Sequence, residues 1–165
     1  MRSFWAALIV LLAALVPTGA SAQRAHILVA QGHWAALRFG QQCEALARPL
    51  LPAARRQPEA RAGFGFDSRG PRRGEFHARL SRSTRPGSTV ILTVGEQPFM
   101  LLAGGDRAWS RGPLQEAAII AAARTARSMR IAARDSAGRR FADRYLLDGA
   151  PTAIDAAAAG CAGKI

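Results

Sequence analysis

The segment Ser88-Thr-Val-Ile-Leu-Thr-Val94 does most to limit what this chain can become. It is β-branched and alternating, and a period of two puts successive side chains on opposite faces of a strand. Such a segment buries one face only as part of a sheet. Gly95-Glu-Gln then supplies a tight turn, and Phe99-Met-Leu-Leu-Ala103 supplies the return strand of a hairpin. Pro98 stands at the start of that return, where a missing ladder donor is tolerated.

The same signals recur on both sides. Glu75–Ser81 alternates, with Phe76, Ala78 and Leu80 expected inward and Glu75, His77 and Arg79 outward. In Arg61–Asp67, Phe64 and Phe66 share one face, and Gly63 and Gly65 indicate close packing or a bulge. Trp34–Phe39 has strand length and aromatic ends, and His26–Ala30 reads as an edge strand or a lead-in. Cys43–Arg48 suits either a returning strand or a helix, because its periodicity does not decide. Ala53–Pro58 reads as a polar loop, and so does Gly104–Trp109.

Pro113 suits the first turn of a helix over Leu114–Ala126, with Leu114, Ala118, Ala121 and Thr125 as its small-residue stripe. A second hairpin follows. Met129–Ala133 and Arg140–Leu147 flank the turn Asp135–Gly138, and Phe141, Asp143, Tyr145 and Leu147 share one side. After Gly149, Thr152 and Asp155 resemble a capping box for a short helix over Ala153–Ala159, which Gly160 would stop before Cys161. The class that follows is α+β and β-rich: an antiparallel β-sandwich or open barrel of seven or eight strands in hairpins, with two short helices in the C-terminal half.

The N-terminus has the form of an export signal. Arg2 precedes an apolar run from Phe4 to Val16, and Ala20-Ser-Ala22 offers a small-x-small cleavage site. The competing reading, a membrane anchor, needs roughly 20 apolar residues. Cleavage after Ala22 would leave 23–165 as one β-rich domain without a transmembrane span, periplasmic or secreted. The whole chain has 23 basic and 11 acidic residues. Removing Arg2 leaves 22 against 11, a net charge of +11. That balance favours encounter with acidic surfaces such as lipid headgroups or anionic polymers. Nucleic acid is disfavoured by the exported address. Two cysteines in an exported chain suggest one internal disulfide, Cys43–Cys161, against the alternatives of free thiols or intermolecular pairing.

Chemistry-bearing motifs are sparse. His26, His33 and His77 form no ligand pair at helical or turn spacing, and no nucleophile elbow or phosphate loop occurs. No metal, cofactor or catalytic residue is therefore expected. Asp143 and Asp148 flank Tyr145, and solvated acids paired with arginines account for them. A site built from His77, Asp143 and Tyr145 would be needed for the alternative of an enzyme or inhibitor. The leading candidate is a basic stretch, with nine arginines between Arg55 and Arg85 against Glu59, Asp67 and Glu75. Arg69, Arg72, Arg73, Arg79 and Arg82 would form an anion-binding ridge on it, with a solvated face as the plainer reading.

The late block resembles the invasion-associated locus B family of exported proteins. The residues that carry the likeness are Ala117–Arg124, Ser128-Met129, Gly138, Asp143-Arg-Tyr-Leu-Leu-Asp-Gly149, Ala153-Ile-Asp-Ala156 and Cys161, with Trp34 and Cys43 upstream. The resemblance implies a periplasmic or envelope-associated β-rich domain without known enzymatic chemistry. With the basic stretch, the leading expectation is a protein that binds a partner or an anionic envelope component, with a structural or stress accessory of the envelope as a further alternative. This chain lacks the additional mid-chain cysteine pair expected of many members, which marks it as divergent.

Overall fold

The computed structural model describes residues 24–51 and 59–162. The expected signal, the 53–58 loop, and Arg55 and Arg56 of the basic stretch lie outside the described residues. The alternating segments pair in sequence order into three hairpin-linked groups. The first is β1 (His26–Gln31), β2 (Trp34–Phe39), β3 (Gln42–Ala47), β4 (Arg61–Asp67) and β5 (Arg73–Arg79). The second is β6 (Val90–Val94), β7 (Gln97–Gly104) and β8 (Arg107–Trp109); the third is β9 (Ser128–Arg134) and β10 (Arg140–Leu146). Helix α1 (Pro113–Thr125) lies between β8 and β9, and α2 (Ala150–Cys161) ends the described chain.

All the pairings are antiparallel and join the ten strands into one sheet, in the order β1-β2-β3-β4-β5-β8-β7-β6-β9-β10. The expected class therefore holds in its open form. Two strands more than the upper expectation are present. One unexpected strand is β8, which has only three residues and too little length to show a period; it takes its place by pairing with β5 and β7. The ambiguous Cys43 segment is a strand because β2 and β4 flank it on both sides.

The sheet curls until its two ends meet, although among the described residues no ladder joins β1 to β10. Hydrogen bonds tie the seam, one of them between the His33 ring and the Asp148 carboxylate at 2.7 Å. The Trp34 indole Nε1 donates to the carbonyl of Leu146 at 2.8 Å, His33 N–H to that of Asp148 at 3.2 Å, and Leu50 N–H to that of Arg144 at 2.8 Å. The inner face is the core. Trp34 stacks on Phe64 with ring centroids 5.9 Å apart, and Phe64 meets its cross-strand partner Phe76 edge-on at 5.4 Å.

Helix α2 plugs this interior. Ala150, Ala153, Ile154, Ala157 and Cys161 are its buried face, mostly small residues that let it approach β1 to β4 closely. The Cys43–Cys161 disulfide forms, with Cα atoms 5.7 Å apart, and staples the end of α2 to β3. The start of α2 differs from the expected capping box. Gly149, left-handed at φ 87°, is the N-cap, and no side chain caps the helix. A Cβ at Gly149 would strike the backbone carbonyl of Gln31, so the turn is fixed by the β1–β2 connection pressing on it. Gly160 does not stop the helix; it lies inside α2, where a Cβ would meet Leu28 at 2.5 Å.

Helix α1 takes its facing from the fold. Ile119 and Ala123 enter the core, while Leu114, at the head of the small-residue stripe, is 91% exposed. The reason is tertiary. The helix packs chiefly on β5, and at its start the side chains of Arg111 and Gln115 both donate to the Met100 carbonyl at 3.0 Å.

Candidate anion-binding face

The arginines of the 69–82 stretch are mostly occupied. Arg72 reaches Asp67 through Nε at 3.0 Å and Nη2 at 2.8 Å, and Glu44 through Nη1 at 3.4 Å. That side-chain hydrogen bonding holds the Asp67 carboxyl below the usual range despite its burial. Arg73 Nη1 donates to the carbonyls of Asp67, Gly70 and Arg72. Arg79 pairs with Asp106 at 3.0 Å, and Arg82 with Asp135 at 3.1 Å. Arg69 is exposed and makes no side-chain hydrogen bond or ion pair among the described residues.

Arg72 and Arg79 nevertheless border a depression of about 400 Å³ on the outer face of β3, β4, β5 and β8, together with Glu44, Arg61, His77 and Arg107. His77 lies at its floor. Burial favours the neutral imidazole and holds its pKa below the ordinary value, although Glu44, 3.9 Å away, pulls the other way. The His77 Nε2 atom is buried without a hydrogen-bond partner. Gly65 leaves the outer-face space into which the Arg72 guanidinium folds.

His77, Asp143 and Tyr145 do not come together. His77 lines this outer depression, whereas Tyr145 is fully buried in the core and Asp143 is 6% exposed. The expectation of solvated acids also fails at Asp143, whose carboxylate accepts the Ser81 N–H at 2.9 Å and pins the segment after β5. Burial first, and then the nearby Asp143 charge, drive the Tyr145 phenol well above its ordinary pKa, and its hydroxyl has no partner among the described residues. These groups are packing elements. Among the described residues no group of three or more His, Cys, Asp or Glu side chains is placed to hold a metal ion.

Four more arginines without an ion-pair partner among the described residues lie together on β9 and β10. Met129, Ile131 and Ala133 point into the core, as do Asp143 and Tyr145, so Arg130, Arg134, Arg140 and Arg144 all face outward and are exposed. The register sets Arg130 directly opposite Arg144 and Arg134 directly opposite Arg140, with Ala132 opposite Ala142 between them. Like charges facing each other across an antiparallel pair are destabilising. None of the four forms an ion pair among the described residues; Arg134 spends one N–H on the carbonyl of Gly138 at 2.9 Å. Among the residues of the five strands β6, β7, β8, β9 and β10 themselves, Asp143 is the only acid, and it points inward; Glu96, Asp106 and Asp135 lie in the turns. Sequence reading missed this quartet because its members are spread over two strands with Asp135 and Asp143 interspersed. Register alone brings them to one face.

The chain matches no protein-family model, no curated protein and no solved structure. What defines it as a class is therefore its own architecture: an open, curled, ten-stranded antiparallel sheet, plugged and stapled by one helix, with a basic outer face at one end.

Proposed function

We propose that this protein is a non-enzymatic, exported binding protein that docks on an anionic component of the cell envelope through the outer face of β9 and β10. The observation that carries this reading is the pair of directly opposed arginines, Arg130–Arg144 and Arg134–Arg140, kept without acidic partners at a cost in stability. Two guanidinium pairs separated by four residues along the strands stand about 13 Å apart and suit a repeating anion better than a single small one. The disulfide supports an oxidising address. No helix among the described residues is long and apolar enough to cross a membrane. The signal-like N-terminus and the resemblance to the invasion-associated locus B family support periplasmic export.

Retention by a soluble polyanion such as dextran sulfate tests the reading. Binding should weaken steeply with added salt, because exposed charges are screened within about 10 Å at 0.1 M. Replacing all four arginines by glutamine should abolish it. Binding that ignores salt, or that survives those replacements, would remove the proposal.

A further inference from the structure

The basic face does not end at its arginines. Carried across the sheet, the registers place Ala142, Ala132, Ile91 and Met100 side by side on four neighbouring strands, β10, β9, β6 and β7. This is an apolar bar three strand spacings wide, about 14 Å. Leu102, two residues beyond Met100, continues it, and Trp109 lies directly opposite Leu102. Ile91, Met100, Leu102 and Trp109 are 38%, 51%, 43% and 37% exposed, although each belongs to a strand whose other face is packed. The arginine pairs lie on either side of the bar: Arg130 and Arg144 on one flank, Arg134 and Arg140 on the other. A depression of about 550 Å³, bordered by Met100, Arg85 and Arg111, opens beside it and has room for an anionic headgroup.

A face built only to bind a hydrophilic polymer gains nothing from a central row of bare isoleucine, methionine, leucine and tryptophan. An anionic bilayer presents both chemistries together, phosphates at the surface and hydrocarbon just beneath. Arginine is suited to both, since its stem packs on apolar surface while the guanidinium stays at the phosphates. We infer that this face is a peripheral membrane-docking surface. The arginine quartet engages anionic lipid headgroups, and Ile91, Met100, Leu102 and Trp109 enter the acyl boundary. The inference rests on the anion-binding reading above and names its ligand.

The test is sedimentation with phosphatidylcholine vesicles, with and without roughly one-third phosphatidylglycerol, run beside dextran sulfate binding. Wild type should bind the anionic vesicles, not the neutral ones, and the Trp109 emission should shift to the blue on binding, a shift absent in Trp109→Phe. The triple variant Ile91→Ser, Met100→Ser, Leu102→Ser changes exposed positions and should melt like wild type. It should keep its dextran sulfate binding and lose vesicle affinity at least about tenfold. Polyanion binding without vesicle binding, or vesicle affinity and Trp109 emission untouched by the serine changes, would overturn the membrane assignment while leaving the anion reading intact. Loss of both ligands in wild type would sink the two together.

Discussion

His77 shows at the scale of one residue how a strand's outward position differs from a solvated one. Its alternation with Phe76 and Ala78 places it outside, as expected, yet it shares its depression with Glu44, Arg61, Arg72 and Arg107, and Nε2 is buried without a partner. Because burial depresses its folded pKa below that of the unfolded chain, near 6.5, the folded state binds fewer protons than the unfolded state between those two values. The associated stability is present above about pH 6.5 and is lost as pH falls toward the folded pKa. The urea midpoint should therefore decline on acidification from pH 7, and His77→Gln should flatten that decline. An unchanged slope in the variant would assign the proton uptake elsewhere. Asp67 and Asp135 act at lower pH. The Arg72 hydrogen bonds hold Asp67 down, whereas for Asp135 burial opposes ionisation and the N–H groups of Arg139 and Ala137 with the Arg82 side chain outweigh it. Their contributions are present above the unfolded carboxyl range and disappear as pH drops through their depressed values.

At the scale of elements, the β9–β10 hairpin carries conflicting demands. Its inner face is ordinary core, and its turn is held by Asp135, which accepts the N–H groups of Ala137 and Arg139 and binds Arg82 from the neighbouring segment. The outer face opposes like charges twice. Arg130→Thr and Arg134→Thr should each raise stability, by roughly 0.2–1 kcal/mol, by ending one repulsion and adding a β-branched residue. Both should weaken dextran sulfate binding. Thermal melts and binding isotherms on the same samples check this, and a variant that is less stable and still binds fully would argue that the pairs are merely structural. The hairpin was legible from its alternation and from Asp135–Gly138. The free quartet was not, because a run of sequence records how many arginines occur but not which acids the fold delivers to them. Asp106 comes to Arg79 from 27 residues away, and Asp135 comes to Arg82 from 53.

At the scale of the molecule, an open sheet of ten strands holds its curl by joining its far ends. Trp34, His33 and Leu50 reach the end of β10 and the residues that follow it, and α2 then crosses the interior to Cys43. The disulfide spans a sequence separation of 118 residues. Loop-closure entropy assigns such a crosslink about 4–5 kcal/mol, and replacing both cysteines by serine should lower the unfolding free energy by that order in urea. A melting curve identical to wild type would mean that the plug docks without its staple.

The sequence by itself determined the period of two and the hairpin turns, and its two cysteines suggested the bond that the fold then forms. These are local or compositional properties: a strand's two faces and a turn's glycine are written within a few residues. Tertiary structure decided that β8 exists, that Gly149 rather than Thr152 starts α2, and that Leu114 stays in solvent. It also decided which arginines are free to act. Each of those outcomes depends on what long-range register sets beside a residue, and register is fixed by how all ten strands share one core.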